Sequence, residues 1–76
     1  MMAKLPMLRA HELIKVLGRL GFEIVRQKGS HAFLRNKEGK TTIIPVHPTE
    51  AIDRGLLNKI IKKDLGISRE EFMKYL

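Results

Sequence analysis

His31-Ala32-Phe33-Leu34-Arg35-Asn36-Lys37-Glu38-Gly39-Lys40-Thr41-Thr42-Ile43-Ile44-Pro45-Val46-His47 reads as two strands, 31–36 and 40–47, folded back on each other around Lys37-Glu38-Gly39. A three-residue hairpin loop takes a type I turn followed by a left-handed residue, and Gly39 stands at that last position. Pairing Asn36 with Lys40 then sets Leu34 against Thr42, Ala32 against Ile44 and His31 against Pro45. Side chains alternate with period two, so this register assigns Ala32, Leu34, Thr42, Ile44 and Val46 to one face. The other face receives His31, Phe33, Arg35, Thr41, Ile43, Pro45 and His47. The first set is the more apolar and is the expected core face. A loop one residue longer or shorter would reverse the parity and send the two histidines to opposite faces. Pro45 has no N–H for a ladder and suits an edge or strand-end position.

Upstream, Leu13, Ile14, Val16, Leu17 and Leu20 recur at helical spacing from Ala10 to Leu20, and Gly21 suits a left-handed stop. Arg9 occupies the cap position without a capping oxygen, so the first turn is expected to fray. Residues 22–28 form an expected first strand with loose alternation, Phe22 and Ile24 facing one way and Val25 the other. Downstream, Asp53 caps an expected helix over 54–64 with a core stripe of Leu57, Ile60, Ile61 and Leu65, and Gly66 ends it. Ser68-Arg69-Glu70-Glu71 has capping-box spacing and opens a short last helix burying Phe72 and Leu76. Helix, three antiparallel strands and helices make a two-layer α+β domain, expected as one unit over 1–76 with a flexible N-terminus at 1–7.

The chain has 76 residues, a net charge of +7 and no cysteine. A domain of this length buries only about 60% of its unfolded surface, so marginal stability is expected. Lack of cysteine removes disulfides, thiolate catalysis and cysteine-held zinc. No run approaches the roughly 18 apolar residues of a membrane span, and the first residues lack a signal-peptide core, so a cytoplasmic address is expected. Residues 1–40 carry a net +6 and residues 41–76 a net +1. That imbalance points to a polyanion partner for the first half, either a nucleic acid or an acidic protein.

Histidine titrates near neutral pH and can move protons, which makes His31, preceded by Gly29 and Ser30, the first candidate for chemistry. Arg26, Lys28 and Arg35 flank it as candidate phosphate ligands. Phe33, on the same face, either stacks a base or forms part of a surface covered by a partner protein. His47, diagonal to His31 in the expected register, is either an acid partner or a strand-end residue fixing the Pro48 turn. A histidine in a turn also serves simply to bond nearby backbone. Lys59, Lys62 and Lys63 either grip a nucleic acid or form the solvated side of their helix, and His11 is expected to be exposed. The acids are scattered, so no metal site and no cofactor are expected.

Taken in order, the helix ending Leu20-Gly21-Phe22, Arg26-Gln27-Lys28-Gly29-Ser30-His31, Pro45-Val46-His47 and Gly55-Leu56-Leu57-Asn58-Lys59-Ile60 resemble the HicA-type, or YcfA-like, mRNA interferase toxins from Leu8 to Tyr75. The resemblance implies a double-stranded-RNA-binding-like fold, α-β-β-β-α with a short extra C-terminal helix. It also implies an endoribonuclease toxin acting on mRNA and a HicB-type antitoxin covering the active face. The family's catalytic histidine falls on His31; Gly29, Ser30 and His47 are the supporting candidates, and the resemblance marks Pro45-Val46-His47 without assigning it chemistry. Leu56 stands where the family often has threonine. A noncatalytic RNA-binding domain of the same fold is the alternative.

Overall fold

The computed structural model describes residues 5–76 and has the expected α+β order. Helix α1 (Ala10–Arg19) is followed by strands β1 (Glu23–Lys28), β2 (His31–Arg35) and β3 (Thr41–Pro45), which form one antiparallel sheet in the order β1-β2-β3. Helix α2 (Arg54–Lys59), a π-helical segment (Ile60–Leu65) and helix α3 (Arg69–Met73) complete the described chain. This is the α-β-β-β-α layout of double-stranded-RNA-binding-like domains, with α3 as the extra C-terminal helix. No helix among the described residues is long and apolar enough to cross a membrane.

The β2–β3 register is the expected one: His31 opposes Pro45, Ala32 opposes Ile44 and Leu34 opposes Thr42. Hydrogen bonds from Asn36 N to Lys40 O (3.0 Å) and from Val46 N to Ser30 O (2.6 Å) extend the pairing beyond each end. The Asn36 side chain completes the loop by accepting from the N–H groups of Glu38 (3.0 Å) and Lys40 (2.8 Å). Gly39 takes the left-handed conformation the loop requires, φ 87°. Ala32, Leu34, Thr42 and Ile44 are buried and Val46 packs at the edge of the core, whereas His31, Arg35, Thr41, Ile43 and His47 are exposed.

Against that face pack Leu13, Val16 and Leu17 of α1, Leu57 of α2, Ile60, Ile61 and Leu65 of the π-helical segment, and Phe72 of α3. A paired terminus closes α1: Phe22 N donates to Leu17 O and Gly21 N to Gly18 O, so Phe22 folds back into the core.

Four expectations are corrected. The first turn of α1 is held despite its poor cap, because the Glu12 carboxylate accepts from Arg9 N at 2.8 Å and Arg9 forms an isolated bridge with Ala51. Ile24 does not share the fate of Phe22: it is 46% exposed and Val25 50%, because β1 is an edge strand that the helices do not cover. The helix over 54–64 turns π-helical from Ile60. A π-helix bonds residues five apart, which brings Ile60 and Leu65 onto the core side together and lets Lys59 reach Asp64 at 3.5 Å. Leu76 is 47% exposed rather than buried, since α3 ends at Met73 and only Phe72 reaches the core fully. The expectation for 1–7 falls partly outside the described residues; of the rest, Leu5 is buried in the core.

Two polar contacts join the sheet to the helical layer. The buried Thr42 hydroxyl donates to Asp64 Oδ2 at 2.9 Å, and the Lys40 ammonium donates to Leu65 O at 3.0 Å, beside the left-handed Gly66. Thr42→Val keeps the shape and removes the donor to a carboxylate, so it is expected to lower stability by about 1–2 kcal/mol. An unchanged urea midpoint would show that the Thr42–Asp64 bond contributes nothing.

Candidate active site

The face of the sheet turned away from the helices carries the candidate residues. Lys28 opposes His31 across β1 and β2, and Gly29-Ser30 forms the two-residue connection between them. Gly29 has φ 57°, and no described non-glycine residue has positive φ. A positive value at the first loop position alone is the pattern of a type II′ hairpin turn, whose twist matches that of the strands it joins. Gly29 therefore brings His31 into the ladder immediately after the turn.

On β1 a bulge intervenes. Ile24 opposes Leu34 but Arg26 opposes Phe33, leaving Val25 as an extra residue. Counted without it from Ile24, Arg26 would oppose Ala32 and point toward the core. The bulge reverses the parity, so Arg26 joins Phe33 and Lys28 joins His31 on the open face. The Arg26 guanidinium lies 5.2 Å from the centroid of the Phe33 ring. Arg35 lies at the far end of β2, opposite Glu23 on β1 and Thr41 on β3.

His31, Phe33, Arg26, Lys28 and Arg35 thus share one uncovered face. His31 is exposed, and its imidazole forms no hydrogen bond among the described residues. Ser30 is exposed, and its carbonyl accepts from Val46 N.

His47 lies just beyond β3, where its carbonyl accepts from Glu50 N at 3.1 Å. Its exposed side chain lines a depression of about 180 Å³ with Pro45, Glu50, Ala51, Ile52, Asp53 and Leu56. His47 is near the His31 end of the sheet but belongs to the turn into α2. His11 is exposed, as are Lys59, Lys62 and Lys63, with Lys59 paired to Asp64. Among the described residues no three His, Asp or Glu side chains gather where they could share a metal ion.

The sequence reading missed two features of this face, the Val25 bulge and the Arg26–Phe33 stack. The loose alternation of Phe22, Ile24 and Val25 was the signal for the first. An interrupted period within an edge strand marks an inserted residue.

Residues 10–67 match the family model described as the HicA toxin of bacterial toxin–antitoxin. The chain belongs to the HicA toxin family. Its place in a toxin–antitoxin pair follows from that membership, and the match spans α1, all three strands, α2 and the π-helical segment, including every candidate residue of the open face. No curated protein matches the chain.

The HicA-family hairpin rests on Gly29. A methyl group at Gly29 would meet nothing within 4 Å, so the cost of Gly29→Ala lies in the left-handed backbone alone. That cost is expected to be about 1 kcal/mol, a fall in Tm of about 4–8 °C for a domain this small. A melting curve that does not shift would contradict the turn assignment.

Proposed function

We propose that this HicA-family chain is an endoribonuclease toxin that cleaves mRNA through His31 without a metal ion. The observation that carries the reading is the family match together with His31 standing free on a face where Arg26, Lys28 and Arg35 all project. Phosphate ligands position an RNA strand there, with arginine able to hold two oxygens at once. No thiol is present, and no group of three or more His, Asp or Glu side chains able to share a metal ion is found among the described residues. The most economical nucleophile is then the substrate's own 2′-hydroxyl, already held close to its phosphorus.

In this reaction the 2′-oxygen loses its proton and attacks phosphorus, the bond from phosphorus to the 5′ oxygen breaks, and that oxygen takes up a proton. The products are a 2′,3′-cyclic phosphate and a 5′-hydroxyl end. His31 serves as the general base or general acid, and the arginine charge neutralises the developing phosphorane. Ser30 and Gly29 hold the strand start, and His47 has a secondary part. A HicB-type antitoxin covers this face in the resting pair. Phe33 and Ile43 supply apolar contact and the cations attract acidic side chains.

The open setting of His31 favours one other reading, noncatalytic RNA binding. Neither the depression beside His47 nor that at the Gly21 and Arg35 end of the sheet includes it. One assay separates the two. His31→Ala is expected to abolish cleavage of a synthetic single-stranded RNA while retaining most affinity, because an exposed imidazole contributes little to packing. His47→Ala is expected to cost less. No cleavage by purified wild type would leave the binding reading, and equal cleavage by wild type and His31→Ala would overturn the assignment of His31.

The chemistry has its own test. A single 2′-deoxy substitution on the 5′ side of a mapped cut is expected to block that cut alone, and chelator is expected to have no effect. Products with 5′-phosphate ends would mean that water attacks instead, and loss of activity in EDTA restored by magnesium would overturn the metal-free mechanism.

A further inference from the structure

Three cations share the open face with His31, and their surroundings are not alike. Arg35 is four residues along β2 from His31, about 13 Å at the rise of a strand, too far to serve the same phosphate. Lys28 is directly opposite His31 but exposed, with no hydrogen-bond or salt-bridge partner among the described residues. Its ammonium is a mobile point charge on a flexible stem. Arg26 is diagonal to His31, a separation of about 7–8 Å that a long side chain spans. Its guanidinium is held 5.2 Å from the Phe33 ring centroid.

Phe33 is itself held. It occupies the central strand, with Arg26 opposite on β1 and Ile43 opposite on β3, and is half-buried between them. With Arg26 over it, the ring already has a partner within the protein. The contact depends on the bulge, because only the extra Val25 turns Arg26 to this side.

We propose that Phe33 is a positioning residue whose ring holds the Arg26 guanidinium beside His31, and that Arg26 is the cation that neutralises the phosphorane. This rests on the ribonuclease reading above. A restrained planar fork aimed at one phosphate stabilises charge as it develops without the reorganisation that a free lysine needs. Lys28 and Arg35 then bind the strand on either side and contribute to affinity.

The test is a double-mutant cycle on kcat and KM with a synthetic single-stranded RNA, using variants whose circular dichroism and urea midpoint match those of the wild type. Phe33→Leu keeps apolar bulk and removes the ring face. It is expected to lower kcat about fivefold with KM unchanged within about twofold. Phe33→Tyr, which keeps the ring, is expected to restore most of that loss. Arg26→Ala is expected to lower kcat at least tenfold, and adding Phe33→Leu to it is expected to cost nothing further, since the ring then has nothing to hold.

Phe33→Leu raising KM, by the same factor with or without Arg26, would overturn the proposal and make Phe33 a base-stacking residue. Multiplicative losses in kcat would also overturn it. A wild type that cleaves no RNA overturns the ribonuclease reading and this role for Arg26 together. Failure of the cycle in an active wild type overturns the positioning alone. The contact has a readout independent of activity: ring current shifts the Arg26 side-chain protons upfield in NMR spectra, and Phe33→Leu is expected to abolish that shift. Absence of the shift in the wild type would overturn the stack.

Discussion

The pairing of Ala32 with Ile44 and Leu34 with Thr42 is the constraint on which the rest of this structure depends. Because side chains alternate at every residue, these pairs decide which side of the sheet is dry. A slip of one residue along either strand would place His31, Phe33 and Arg35, or Thr41 and Ile43, against the helices. A buried guanidinium without a partner is costly far beyond what the exposed apolar residues could offset. The Asn36–Lys40 loop, fastened by the Asn36 side chain, selects the loop length that gives this parity. Both the core and the open face follow from one register.

The edge of the sheet obeys a different logic. β1 is exposed along its length and carries the bulge, a combination that discourages pairing with another chain's edge. The same irregularity brings Arg26 and Lys28 to the side where His31 stands. One inserted residue thus shapes both the edge and the charge distribution of the open face. That face has apolar residues half-exposed among cations, with Ile43 47% accessible, a surface suited to being covered. Membership of a toxin–antitoxin family implies a partner for the chain.

The helical layer is joined to the sheet by more than apolar packing. Thr42 is the one buried polar residue described, and its hydroxyl is satisfied by Asp64 from the π-helical segment. Lys59 pairs with the same carboxylate, and Lys40 reaches the carbonyl of Leu65. The Lys59–Asp64 pair joins residues five apart, which the π-helical turn brings to one side. Gly55 has a related constraint at the start of α2. A Cβ there would lie 3.0 Å from the Asp53 carboxylate oxygen that accepts from Leu56 N.

Much of this fold was legible in the residues themselves, because its determinants are local. Gly39 in a three-residue loop, Gly21 and Gly66 after apolar periodic runs, and Asp53 and Ser68 at cap positions each act within a few bonds of their own backbone. The family pattern around Gly29-Ser30-His31 is local too. The loose alternation in β1 hinted at a bulge, but which residue would be extra depends on the partner strand's register. Likewise, nothing near Ile60 in sequence requires a π-helix. The π-helical segment carries Asp64, whose partner Thr42 lies 22 positions earlier in the sheet. The Arg26–Phe33 stack joins two strands across a turn, and depends on a side-chain direction that the bulge reverses. Periodicity and capping are properties of neighbours along the chain and so can be read from it. Parity across strands and the partners of long side chains are set only when separate segments meet, and here the tertiary structure alone decided them.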